Sequence, residues 1–183
     1  GLGVFLQHPI GHAPEDVVFT SWLSDEKRKV FENSTLIQKD GEITTVHIAF
    51  PKAGNWEFRL FAKHIGEDGG YESIVEIGFV TDAGTERRFP LLYSTYMENN
   101  CFIHNPVHSP LRAGETVDFR LKLPGYKQAY ALAAHKRFPL EAGPDDVFEG
   151  SVPVPKTDKL TIFAAKETGH VASVGICMYK IRE

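Results

Sequence analysis

Hydrophobic and polar residues alternate along most of this chain, and the alternation has a period of two. The stretch 51–63 shows it plainly. Trp56, Phe58, Leu60 and Ala62 fall on one face, and Glu57, Arg59, Phe61 and Lys63 on the other. Successive side chains of an extended chain point to opposite faces, so the pattern predicts a half-buried β-strand. Residues 17–23 read as a strand from their β-branched and aromatic content. Val46, Ile48 and Phe50 alternate with Thr45, His47 and Ala49, and residues 71–80 turn Val75, Ile77 and Phe79 inward. Segments 5–10, 29–31 and 35–37 are weaker strand candidates. Gly- and Asp-bearing turns at 39–42, 66–70 and 81–84 separate the runs.

The second half repeats the first. Val117, Phe119, Leu121 and Leu123 alternate with Asp118, Arg120 and Lys122. Further strands are predicted near 130–134, 148–154, 160–166 and 174–178, with turns at 110–115 and 143–146. Pro51-Lys52 is echoed by Pro155-Lys156, which sets Leu160 opposite Trp56 and Ile162 opposite Phe58. That register keeps the apolar residues on one face. Phe5-Leu6 with Pro9-Ile10 is likewise echoed by Phe102-Ile103 with Pro106-Val107. Two copies of one all-β unit are expected, at 1–88 and 89–183. An aromatic-rich connector at about 86–100 is expected to pack between them, because it is too apolar for a flexible linker.

Composition narrows the picture. The 183 residues are 42% hydrophobic and 24% charged, with 16 Gly, 11 Pro and 13 Phe, a balance that favours short strands and turns. No apolar run approaches the length of a membrane span. The N-terminus has neither the basic flank nor the long apolar stretch of a signal peptide, and the absence of an initiator Met reads as a fragment or processed product. Net charge is −4. Up to Arg88 there are 9 Lys/Arg against 14 Asp/Glu, giving −5; the remainder has 11 against 10, giving +1. Neither half has the basic excess of a nucleic-acid binder. The mixed run 25–29 reads as a solvated turn. Cys101 and Cys177 are the only cysteines, too few for a disulfide scaffold; a bridge between strands of the second half is one reading, and two reduced thiols in a cytoplasmic protein the better one.

Six or seven short strands in about 80 residues is the count of an immunoglobulin-like sandwich. Gly54-x-Trp56-x-Phe58 has the spacing that opens strand F in such domains, with Trp56 at the corner aromatic and Phe58 in place of the core cysteine. A wider pattern adds to this: Phe-Pro-x-x-Tyr from Phe89, Phe-Ile-x-x-Pro from Phe102, Leu-x-x-Gly-Glu-x-Val-x-Phe from Leu111, and Val-Phe-Glu-Gly-x-Val-x-x-Pro-Lys from Val147. It resembles the immunoglobulin-like region of the kyphoscoliosis peptidase and hillarin family, whose members carry a transglutaminase-like cysteine peptidase domain followed by such modules. The resemblance implies tandem non-catalytic sandwiches, often in a cytoskeletal context. The family's Cys-His-Asp triad has its Cys followed by Trp at a helix start. Here Cys101 is followed by Phe102 on an expected strand and Cys177 lies in the last strand, so no catalytic residue carries over.

Other constellations have residue types that could carry chemistry. His8 with His12, and His104 with His108, have a His-x-x-x-His spacing that suits a metal only on a helix. Pro9 and Pro106 oppose a helix, and on a strand the two side chains stand about 13 Å apart. A thiol nucleophile at Cys101 needs a base in reach. His104 falls on the opposite strand face, and His135 meets it only through the fold. Acidic turns at Asp40 and Glu42, Glu67 and Asp68, and Asp145 and Asp146 lack the spacing of a calcium loop. Trp22, Trp56, Tyr93, Tyr96 and Tyr126 form a sugar-stacking platform only if they share one face. Trp56 is expected in the core, and Tyr93 and Tyr96 at the junction.

The expectation is therefore an all-β protein of two tandem immunoglobulin-like sandwiches, without catalytic, cofactor-binding or metal-binding residues. It acts as a protein-interaction or scaffolding module, an accessory region of a transglutaminase-like, cytoskeleton-associated cytoplasmic protein. Its partner is a cytoskeletal protein or a neighbouring catalytic domain. The alternatives are a hydrolase or transferase using Cys101 with a histidine, and a carbohydrate-binding sandwich.

Overall fold

A computed structural model describes the backbone of residues 4–8 and, with side chains, residues 17–41, 43–66, 68–169 and 172–183. The chain divides into two compact units, Gly1–Phe89 and Pro90–Glu183. Both are built almost wholly of strands, and both have the strand order of an immunoglobulin-like β-sandwich.

The first unit contains β1 (Val4–His8), β2 (Val17–Asp25), β3 (Thr35–Asp40), β4 (Ile43–Ile48), β5 (Gly54–His64) and β6 (Glu72–Thr81). They form two antiparallel sheets, β1-β4-β3 and β2-β5-β6. These are the B-E-D and C-F-G pairings of the immunoglobulin sandwich, with β5 as strand F. The alternation in β5 explains its place: Trp56, Phe58 and Leu60 are buried between the sheets. They face Phe79, Ile77 and Val75 across the β5–β6 pairing, which slips by one residue between Leu60 and Phe61.

The second unit contains β7 (Leu91–Leu92), α1 (Ser94–Glu98), β8 (Phe102–Asn105), β9 (Leu111–Arg112), β10 (Thr116–Lys122), β11 (Gln128–Ala133), β12 (Lys136–Ala142), β13 (Val147–Pro153), β14 (Lys159–Ala165) and β15 (Val174–Arg182). The pairing runs β7-β15-β14-β11-β12-β13-β10-β8, with β9 also on β15. Thus β11-β14-β15 is C-F-G and β8-β10-β13 is A-B-E, and β12 joins the two layers. Leu160 and Ile162 on β14 face Tyr179 and Cys177 on β15, and all four are fully buried. The register expected from the Pro51 and Pro155 echo is the one that places these residues inward.

Several expectations need correction. Residues 91–98, expected in a connector between units, form β7 and α1 of the second unit. Tyr96 is only 1% exposed, within that unit's own core. The helix ends in a Schellman turn: Asn100 has φ +48, its N–H donates to the Met97 carbonyl, and the Cys101 N–H donates to the Tyr96 carbonyl. Cys101 therefore sits just ahead of β8 rather than within it. Segment 29–31 forms no strand, only an isolated bridge from Ser24 to Val30. Strand β12 was not foreseen, because Pro139 interrupts its pattern and its hairpin turn uses Ala134 and His135 at positive φ without a glycine. In segment 5–10, β1 ends at His8; Pro9 and Ile10 lie outside the described residues.

Candidate functional site

The stretch around Pro51 is a hub of the first unit. The Trp56 indole N–H donates to the Lys52 carbonyl at 3.2 Å, and the Thr81 hydroxyl donates to the same oxygen at 3.3 Å. This is the tyrosine-corner arrangement made by a tryptophan: an aromatic at the start of strand F bonds back to backbone a few residues upstream. The backbone of Gly84 lies so close that an added Cβ would stand 2.4 Å from the Lys52 Cα, so no side chain fits there.

Lys52 also reaches across to Asp25, its ammonium 3.1 Å from the carboxylate. The other Asp25 oxygen accepts the N–H groups of Lys27 and Lys29, each at 3.1 Å. Run 25–29 is thus a turn, but Asp25 at its head is buried, not solvated. Burial pushes the carboxyl pKa upward; the Lys52 hydrogen bond, the two amide bonds and the Lys52 charge outweigh it and leave the pKa below the usual carboxylate range. Phe31 packs edge-on to Trp56 at 5.0 Å and lies under the ammonium groups of Lys29 and Lys52. These groups all serve structure.

The side chains available to a ligand lie elsewhere on this unit. On the outer face of β2-β5-β6, Trp22 is 51% exposed and packs on Phe61 with ring centroids 4.8 Å apart. Arg59 lies beside them, bridging Glu57 at 2.6 Å and Glu76 at 3.4 Å. Val80, at 83% exposure, and Ile74 extend the apolar surface along β6, and Tyr71 and Ile65 flank its start. Strand β6 ends its sheet, with no neighbour on its far side among the described residues. The matching C–F aromatic pair of the second unit, Tyr130 and Phe163, stacks at 5.6 Å, and the Arg137 guanidinium covers Tyr130 at 4.6 Å.

The residues singled out for chemistry fall differently. Cys101 and Cys177 are free, buried thiols. Burial pushes the Cys101 thiol up to about 12 and the Cys177 thiol higher still, the reverse of an activated nucleophile. His104 and His135 are exposed, whereas Cys101 is buried. His108 is exposed in the loop between the cis prolyl bonds Asn105-Pro106 and Ser109-Pro110. His12 lies outside the described residues, as does the His8 side chain. Among the described residues no three His, Cys, Asp or Glu side chains gather around one point. Asp145 and Asp146 are exposed in a turn at positive φ, and Glu42 and Glu67 lie outside the described residues. Of the five aromatics considered as a sugar platform, Trp56, Tyr96 and Tyr126 are buried, and the exposed pair, Trp22 and Tyr93, belongs to different units. Those five do not make one platform. The Trp22–Phe61 pair was missed because the alternation marks Phe61 as outward without showing that Trp22 lies beside it.

No family model matches the chain, and no curated protein matches it. Among solved structures, SGBP-B of the Bacteroides ovatus mixed-linkage glucan utilization locus, solved with a mixed-linkage heptasaccharide, is 11% identical with a TM-score of 0.27. The alignment covers 98% of this chain and 40% of that one. A chimeric titin Z1Z2-Z1Z2 tandem is 11% identical with a TM-score of 0.24, over 100% of this chain and 92% of its own. The titin tandem A164-A165 is 9% identical with a TM-score of 0.25, over 90% and 80%. Scores this low lend nothing to function, and the fold assignment stands on the strand order itself. No described helix is long and apolar enough to cross a membrane.

Proposed function

We propose that this chain is a non-catalytic protein-interaction module, an accessory region of a transglutaminase-like, cytoskeleton-associated protein that works in the cytoplasm. One observation carries the binding reading. Nine large hydrophobic side chains are exposed among the described residues, and seven of them, Trp22, Val30, Ile43, Ile65, Tyr71, Ile74 and Val80, lie on the first unit. Three of these, Trp22, Ile74 and Val80, lie on the β2-β5-β6 sheet, where Phe61 packs on Trp22 and Glu57, Arg59 and Glu76 carry charge; exposed apolar side chains beside charges are the surface chemistry of a protein interface. The transglutaminase-like context is supported by the motifs from Phe89, Phe102, Leu111 and Val147.

Filament co-sedimentation of the purified chain tests the reading, with Trp22→Ala and Phe61→Ala as variants. Binding that both substitutions weaken supports it. Hydrolase or transferase activity of the chain, lost on Cys101→Ala, overturns it.

A further inference from the structure

The two F–G hairpins match residue by residue. Trp56 and Phe58 face Phe79 and Ile77 in the first unit, and Leu160 and Ile162 face Tyr179 and Cys177 in the second. Strands β6 and β15 are therefore the same element in two units. The outward positions between these pairs correspond as well, and there the units differ in charge.

In the first unit the outward cation is neutralised on the spot: Arg59 bridges Glu57 at 2.6 Å and Glu76 at 3.4 Å. Asn55 and Val80, one position outside Trp56 and Phe79, are directly opposed and uncharged. In the second unit the same two positions hold Lys159 and Lys180, again directly opposed. Opposed residues share a face with Cβ atoms about 5 Å apart, and like charges there destabilise a sheet. Both lysines are exposed, and neither forms an ion pair among the described residues. Beside them Arg182 stands opposite Arg112 of β9, with Glu115 at 3.8 Å from Arg112.

The backbone cannot easily relieve this repulsion. Leu160 and Tyr179, next to the lysines, are fully buried. The Tyr179 hydroxyl donates to the Pro106 carbonyl at 2.8 Å, and the Lys180 N–H donates to the Ser109 hydroxyl at 3.0 Å. Away from the lysines the same face turns apolar. Met178 lies opposite Thr161 and Leu91, and Leu132 lies opposite Thr161 on its other side. Phe163 stacks on Tyr130, and Met178, Leu132 and Phe163 are all half-buried. The outward residues of 128–132, 159–163 and 178–182 include no Asp or Glu.

We propose that the outer face of β11-β14-β15 docks an acidic segment of a partner protein, its carboxylates at Lys159 and Lys180 and its apolar side chains on Met178, Leu132 and Phe163. This rests on the interaction-module reading and names the partner's chemistry at a second surface. A carboxylate set between the two ammonium groups turns their repulsion into two charge-assisted hydrogen bonds. The apolar strip selects a segment with apolar side chains of its own. A long polyanion such as a nucleic acid is disfavoured by the net charge of −4. A second copy offers less, because Arg59 already engages Glu57 and Glu76 on the matching face of the first unit.

The test uses the whole chain and a fluorescent synthetic peptide of about ten residues that alternates Glu with Leu, long enough to cross the sheet. The controls alternate Glu with Ser and Lys with Leu, and anisotropy is the readout. Both controls are expected to bind about tenfold or more weakly than the Glu–Leu peptide. Lys180→Glu and, separately, Lys159→Glu are expected to weaken that peptide by a similar factor. Each also replaces a repelling pair by an attracting one, so the urea midpoint of the second unit holds or rises, whereas damage to the fold lowers it. Lys180→Arg keeps the binding. The proposal is overturned if either control binds as well, if both charge reversals leave binding unchanged, or if phosphatidylserine vesicles bind at these lysines and the peptide does not. If the peptides fail while Trp22→Ala still weakens filament binding, this surface fails and the interaction-module reading stands.

Discussion

Strands β6 and β15 occupy the same position in their units, and their surroundings differ. Beneath β15 the side chains of Ile176, Cys177 and Tyr179 are fully buried, closed over by β7, β9 and the loop at Pro106. Beneath β6 the matching side chains are partly wet, and the outer face of its sheet leaves Trp22 and Val80 open. The buried side-chain polar atoms that lack a partner among the described residues, Ser34 Oγ, Lys39 Nζ and Thr44 Oγ1, are all in the first unit as well. The second sandwich thus closes the edge of its last strand from within, and among the described residues β6 has no such cover. The lesson is that a strand's pattern sets which face is apolar, while what lies along its edge decides how deeply that face is buried.

The closed unit is tested most severely by its two thiols. With burial holding Cys101 at about 12, its thiolate is scarce at neutral pH. Labelling of the native chain is expected to run about a thousandfold slower than for a free cysteine, rising only on unfolding. Fast labelling near pH 6 would break the account of that core. Next comes a matched pair of substitutions. Tyr179→Ala removes a fully buried ring and is expected to cost about 3–5 kcal/mol. Phe79→Ala, at the equivalent but partly exposed position, is expected to cost about 1–2 kcal/mol. Urea unfolding measures both: the only tryptophans, Trp22 and Trp56, report the first unit, and far-ultraviolet circular dichroism follows both units. Equal losses would erase the difference between the edges.

Smaller effects sharpen the same contrast. Trp56→Phe keeps the ring and removes the indole N–H from the Lys52 carbonyl, and is expected to cost about 1–2 kcal/mol, seen by circular dichroism. The second unit has Leu160 there, with no such bond to lose. The smallest effect is acid-dependent. The Asp25 pKa is lowered on folding, so its contribution is present above the unfolded value of about 3.9 and is lost as pH falls through the folded value. Asp25→Asn should therefore lower the first unit's urea midpoint at neutral pH and flatten its decline below about pH 4. A parallel decline in variant and parent would remove Asp25 from the account.

Much of the architecture was legible in the residues. Trp56 and Phe58 declared their strand by alternation, and Leu160 and Ile162 declared its counterpart, because a period of two with one wet face has a single sensible register. Strand β12 was not legible: Pro139 lacks an N–H for a ladder, and Ala134 with His135 gives no turn signal although both adopt positive φ. Helix α1 is a single turn and a half, too short for a helical period, and only Asn99-Asn100 marks its end. Asp25 looked solvated because a charge run hides which member is folded under. The candidate surface was half legible. The outward positions of Phe61, Ile74 and Val80 follow from the alternation, but nothing local tells that β15 gains its cover from β7 and β9, which are remote in the chain.

The central claim is the difference in cover between β15 and β6 among the described residues, and residue-resolved amide hydrogen exchange of the free chain tests it most directly. The account predicts slow exchange along Val174–Arg182 and faster exchange at the alternate amides of Glu72–Thr81 that have no partner strand among the described residues. Uniform protection along β6, equal to that of β15, would contradict it.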